Sequence, residues 1–155
     1  MPNQLDLDIT YLKMAREWGR LSKAKRKKVG CLIVKDGQII SDGYNGTPAG
    51  YSNECEFVNE NFLPQAKNKL ETKPEVLHAE SNALMKLAKS TNSSKDSTIY
   101  LTMSPCFDCA KLIIQAGVVR VVYSETYRNL EGVGFLHSNN IIAVLVSIPQ
   151  PSIQS

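Results

Sequence analysis

Cysteine, net charge, aromatic residues and long apolar runs are all scarce in this chain, and each shortage removes a class of function. No apolar run is long enough to span a bilayer. The opening Met1-Pro2-Asn3-Gln4 is not a basic region followed by an apolar signal segment, so a reducing cytoplasm is the expected compartment. There the four cysteines should bind metal or fill cores instead of forming disulfides. A net charge of +3 permits an anionic substrate but is weak for a nucleic-acid binder. The single tryptophan, Trp18, falls in a helical pattern and not on an exposed stacking platform. Internal repeats and linkers are absent. What remains is 155 residues with an ordinary 43% hydrophobic content, which suits one domain over residues 1–155 with one core.

Tyr11, Leu12, Ala15 and Trp18 recur at helical spacing from Asp8 to Trp18, with Asp8 or Thr10 as cap and Gly19 near the stop. This helix should cover a sheet face. The basic run from Arg20 to Lys28 reads mostly as a solvated loop. Val29 to Val34 is nearly continuous apolar sequence, as in a strand covered on both sides. Lys35-Asp36-Gly37-Gln38 is a hairpin signal, and Ile39 and Ile40 begin the antiparallel return strand. Cys31 is core filler on this reading. Asp42 to Gly50 is dense in turn formers. Tyr51 to Val76 is a polar excursion with a short helix over Phe62 to Leu70. Cys55 reads as a free loop cysteine, the alternative being a second metal site with Cys31 or His137.

A helix from His78 to Lys89 follows, with Ala83, Leu84, Leu87 and Ala88 as its buried stripe. After a polar loop come a strand, Thr98 to Met103, and a helix, Cys106 to Gly117, whose apolar face is Cys109, Leu112, Ile113 and Ala116. Val118 to Tyr123 is another strand, and strand–helix–strand implies a parallel pair with a right-handed crossover. Glu125 to Asn140 holds a loop and one helix, Ile141 to Ile148 is a last buried strand, and the tail frays from Pro149. The sum is a three-layer α/β/α fold around a mixed five-stranded sheet.

The chemistry gathers in Leu77-His78-Ala79-Glu80 and Ser104-Pro105-Cys106-Phe107-Asp108-Cys109. One imidazole and two thiols stand at two helix starts and can share a zinc ion, leaving its fourth tetrahedral position open. Pro105 suits the first helical turn, which puts both sulfurs at the positive end of the helix dipole and favours thiolate. Glu80, two residues beyond His78, is badly placed as a ligand but can reach the space beyond the helix end. A carboxylate there can take a proton from a water in the open position and pass it on.

H-x-E followed by P-C-x-x-C is the signature of zinc-dependent nucleobase deaminases, and the chain resembles that superfamily. Further segments resemble the deoxycytidylate (dCMP) deaminase family within it. They are Ser22 and Arg26 ahead of Val29-Gly30, Gly43 to Gly50, His78-Ala79-Glu80-Ser81-Asn82-Ala83, and Pro105-Cys106-Phe107-Asp108-Cys109-Ala110-Lys111. The resemblance covers roughly Tyr11 to Leu136 and implies a cytidine-deaminase-like fold.

By the same resemblance His78, Cys106 and Cys109 hold Zn2+ and Glu80 shuttles protons. Asn45 contacts the nucleotide, Arg26 and Lys28 lie near its phosphate, and Tyr127 offers an aromatic hydroxyl. Backbone groups near Ala79 and Ser104 stabilise the tetrahedral intermediate. The reaction implied is attack of water on carbon four of the cytosine of dCMP, giving dUMP and ammonia. Relatives of this kind are hexamers, activated by dCTP and inhibited by dTTP with Mg2+ through a loop matching Gly46-Thr47-Pro48-Ala49-Gly50. Two rivals remain: a tRNA or polynucleotide deaminase tracking a backbone along Arg20 to Lys28, and a zinc-stabilised nucleic-acid-binding module without activity.

Overall fold

The computed structural model describes residues 1–61 and 69–150. In chain order it contains α1 (Gln4–Gly19), β1 (Gly30–Lys35), β2 (Gln38–Tyr44), β3 (Glu56–Val58), β4 (Leu70–Thr72), α2 (Ala79–Ala88), β5 (Thr98–Leu101), α3 (Phe107–Gln115), β6 (Arg120–Tyr123), α4 (Glu131–Ser138) and β7 (Ile142–Leu145). Side chains on a strand point alternately to its two faces, and this alternation sorts the apolar residues into two cores. Cys31, Ile33, Ile99, Leu101 and Val121 meet α2, α3 and α4 on one face of the sheet. Leu32, Val34, Tyr100 and Val122 meet Leu12 and Ala15 of α1 on the other.

The five strands run in the order β2-β1-β5-β6-β7. β1 is antiparallel to both β2 and β5, while β5, β6 and β7 are parallel. The sheet is therefore mixed, with helices on both faces, as the sequence led us to expect. Asp36 and Gly37 both adopt positive φ, 52° and 73°, the conformation that a two-residue hairpin turn requires. β3 and β4 form a separate two-stranded antiparallel pair. Of the short helix expected over Phe62 to Leu70, residues 62–68 lie outside the described residues, and Leu70 opens β4.

Three expectations about elements need correction. α1 begins four residues before Asp8, capped by the Asn3 side chain, which accepts from the Asp6 N–H at 2.8 Å. Thr10 instead donates to the Asp6 carbonyl. Asp8 is buried and accepts both arms of the Arg120 guanidinium, at 2.8 and 2.6 Å, together with the Tyr100 hydroxyl at 2.6 Å. It ties α1 to β5 and β6. The last strand is an edge strand on which Ile142 and Leu145 are exposed and Ala143 is buried. Leu112 is also exposed, so the buried stripe of α3 is narrower than its periodicity suggested.

Two glycines set how closely the site's elements approach. A Cβ on Gly43 of β2 would lie 2.4 Å from the Ala79 carbonyl oxygen at the start of α2. One on Gly132 of α4 would lie 2.1 Å from the Pro105 carbonyl oxygen. Only glycine allows backbone to meet backbone at this range. The starts of α2 and α3 are thereby fixed against the frame.

Candidate metal centre and active-site cavity

In α/β sheets ligand sites gather beyond the carboxyl ends of strands, and the segment after β5 carries Ser104 to Cys109 to such a place. Cys106 is the N-cap of α3 and His78 the N-cap of α2. Pro105 accordingly lies before the helix and not in its first turn. His78 Nδ1 is 3.6 Å from Cys106 Sγ and 3.3 Å from Cys109 Sγ. All three donor atoms lie within 4.8 Å of one another. Tetrahedral zinc with ordinary Zn–S and Zn–N bond lengths requires a sulfur–nitrogen separation of about 3.6 Å. The donors therefore stand where a zinc ion would hold them. Among the described residues this is the one such group, so no second cluster joins Cys55 to Cys31 or His137. Cys31 is fully buried core, and Cys55 is a free cysteine in the loop before β3, both as expected, although Cys55 is buried against the cavity.

The electrostatics agree with the donor chemistry. The Cys106 thiol is pushed down to about 4 by hydrogen bonds from Cys109 and His78, against the effect of its partial burial. Its sulfur also accepts the Cys109 N–H, at 3.5 Å. Cys109 is pushed up, first as the proton donor to Cys106 and then by burial. Zinc takes cysteine as thiolate, so its binding is accompanied by release of the thiol protons. His78 is raised by its bond to Cys106 and by Glu80, over the opposing effect of burial.

Glu80 is 4% exposed, in the first turn of α2, with Oε1 3.6 Å from His78 Nδ1. Burial pushes its carboxyl up to about 7. The His78 side chain makes no capping hydrogen bond to α2, and the Glu80 carboxyl accepts from its own backbone N–H. These residues floor a cavity of about 430 Å³, within the range of small-molecule sites.

The cavity gathers most of the expected residues: Arg26, Asn45, His78, Ala79, Glu80, Ser104, Cys106 and Tyr127 all line it. Several do so differently from expectation. Asn45 braces the wall, its Oδ1 accepting from the Val29 N–H at 2.9 Å and its Nδ2 donating to the Lys27 carbonyl at 2.8 Å. Its second amide hydrogen and remaining lone pair are what it can offer a ligand. Ser104 donates its N–H to the Glu125 carbonyl at 2.8 Å, and its hydroxyl accepts from the Tyr127 N–H at 2.7 Å. Its backbone N–H is therefore engaged within the fold. Lys28 lines a smaller cavity of about 170 Å³ with Arg16 and Ser124 and does not reach the larger one. None of Gly46 to Gly50 lines either cavity; Gly46 instead exchanges backbone bonds with Leu77, beside His78. The cavity also recruits Glu56, Glu71, Thr72 and Arg128, which no motif flagged.

Residues 5–125 match the family model of the cytidine and deoxycytidylate deaminase zinc-binding region. The chain belongs to this deaminase family. It is 36% identical over 149 residues to the deoxycytidylate deaminase of Enterobacteria phage T4, covering 76% of this chain and 77% of that one. With the deoxycytidylate deaminase of Mycobacterium phage D29 it shares 34% identity over 124 residues, covering 77% of this chain and 95% of the relative. Its fold matches the crystal structure of the dCMP deaminase of cyanophage S-TIM5 in complex with dCMP and dUMP. That match has a TM-score of 0.83 and 38% identity, covering 94% of this chain and 100% of the other. The His/Cys/Cys group fits the zinc of this zinc-binding deaminase family, and two of its members, His78 and Cys106, line the cavity.

Proposed function

We propose that the chain hydrolyses dCMP to dUMP and ammonia. The observation that carries this reading is a buried carboxyl, Glu80, with Oε1 3.6 Å from His78 Nδ1, beside a donor set that fits zinc. The likeness to dCMP deaminases over most of both chains supports the substrate. When bound by His78, Cys106 and Cys109, zinc supplies the Lewis acidity that brings a water's pKa to about 7.

The chain's own residues do the rest. Glu80 accepts a proton from the attacking water and delivers it to the ring nitrogen beside carbon four. It then takes the remaining proton from the hydroxyl added at carbon four and hands it to the amine, so that the carbon–nitrogen bond breaks, the carbonyl of dUMP forms and ammonia leaves. The Ser104 carbonyl accepts an amine N–H and holds the ring in register, while the first-turn N–H of Ala79 is turned to the developing negative charge. Arg26 meets the phosphate with charge-assisted bonds, Asn45 the sugar, and Tyr127 closes the wall over the substrate.

Ammonia release from dCMP, deoxycytidine, CMP and a cytosine-containing oligonucleotide, assayed together, tests the reading. Preference for dCMP is expected, and preference for deoxycytidine or the oligonucleotide contradicts it. Regulation by dCTP and by dTTP with Mg2+, in a hexamer, is part of the same reading. The Gly46–Leu77 bridge that supports it joins the Gly46-Thr47-Pro48-Ala49-Gly50 loop to the residue before His78. Failure of Glu80→Ala protein, its site filled by a substrate analogue, to bind dCTP at equilibrium removes the regulatory part alone.

A further inference from the structure

The β3–β4 pair stands apart from the main sheet, and one of its cross-strand pairs, Glu56 opposite Thr72, grips the basic segment at Lys25 and Arg26. Glu56 Oε1 accepts two consecutive backbone N–H groups, Lys25 at 2.7 Å and Arg26 at 3.0 Å. Thr72 Oγ1 accepts from Arg26 Nη1 at 3.3 Å. One strand therefore holds the backbone at Arg26, and the other holds its guanidinium. All three residues line the large cavity. The neighbouring Lys27 is spent on Glu125, at 2.6 Å. Arg26 makes no ion pair among the described residues, and most of its five N–H donors remain for a ligand.

We infer that Glu56 and Thr72 are positioning residues for the nucleotide's phosphate, acting through Arg26. This rests on the reading of Arg26 as the phosphate's partner. A carboxylate next to an anion site is the wrong charge unless it serves another purpose. Here its oxygen is turned into two backbone N–H groups, charge-assisted bonds that fix where the segment enters the cavity. The Thr72 hydroxyl then selects among the many rotamers of a long side chain. Ordering a cation before the ligand arrives lowers the entropy lost on binding. The pair thus acts on recognition of the phosphate and not on the reacting carbon.

Steady-state kinetics on dCMP and deoxycytidine separate this from simple structural support. Glu56→Ala should raise KM for dCMP roughly tenfold and move kcat much less, with deoxycytidine turnover affected far less than that of dCMP. Glu56→Gln keeps the acceptor without the charge and should recover most of the loss. Should Glu56→Ala fail to fold, Thr72→Val carries the test, with a rise of about threefold in KM for dCMP that Thr72→Ser reverses. In an Arg26→Ala background neither change should raise KM further, because their route is gone. Equal losses on both substrates, a lower KM in Glu56→Ala, or additivity with Arg26→Ala overturns the inference. An Arg26→Ala protein with unaltered KM for dCMP overturns the phosphate reading itself, whereas a normal Arg26→Ala response with silent Glu56 and Thr72 variants overturns the clamp alone.

Discussion

Glu80 has one of the least ordinary environments in the chain. It is an acid almost wholly withdrawn from water, which penalises its charged form and pushes it up to about 7. A group balanced there both takes and gives a proton at neutral pH, which a reaction needing both transfers requires. A zinc dication alongside stabilises the carboxylate and draws the value down, so the working residue is the anion that accepts the water's proton first. Glu80→Gln retains shape and burial but cannot take a proton. It should keep one zinc per chain by metal analysis and lose about three to four orders of magnitude in kcat. A variant that keeps both its zinc and its turnover would remove Glu80 from the mechanism.

Among the elements, the tie between α1 and the sheet rests on Asp8. Burial acts to raise its pKa, but the bonds from Arg120, Tyr100 and Gln4 outweigh this, and the net shift is downward. A carboxyl whose pKa is lower in the folded than in the unfolded chain stabilises the fold above its unfolded value, near 3.8. That stabilisation is lost as pH falls through the lower folded value. Asp8→Asn leaves the Arg120 guanidinium, largely buried, without its counter-charge and should cost about 3 kcal/mol at neutral pH. The gap in urea midpoint between parent and variant should narrow below about pH 4, where the parent carboxyl also begins to protonate. A gap that persists into strong acid contradicts this origin. Asp8 also shows where sequence reading stops: its place at the start of an apolar pattern suggests a cap, but its partner lies 112 residues away. His78, Glu80, Cys106 and Cys109 were legible because each pair is local, and a helix start converts short spacing into geometry. The β1–β2 turn was legible for the same reason, since Asp36-Gly37 supplies its own backbone angles. Glu56 and Thr72 were not, because three-residue strands carry no readable period and their contacts with Arg26 cross 30 and 46 residues.

For the molecule as a whole, the metal site is a cross-link as well as a catalytic feature. It joins the starts of α2 and α3 across 28 to 31 residues of chain. Both helix N-termini point their positive ends at the same small space, where thiolates and the first-turn carboxyls Glu80 and Asp108 offset them, and a zinc ion held by the three donors would tie the two ends together. Loss of zinc should therefore destabilise the protein. With free zinc about a thousandfold above its dissociation constant, the ion contributes about 4 kcal/mol. In a chain of this size that corresponds to a fall of about 10 °C in Tm on chelation. The protein should nevertheless stay folded, unlike a small zinc finger, because two apolar cores on either side of the sheet do not depend on the ion. Calorimetry and circular dichroism at fixed protein concentration, before and after chelation, test both halves. The expected outcome is a lower Tm, unchanged secondary structure, no deaminase activity, and recovery of Tm and activity together on return of stoichiometric zinc. Unfolding on chelation would mean that the frame is built on the metal, and an unchanged Tm that the three donors do not share one ion.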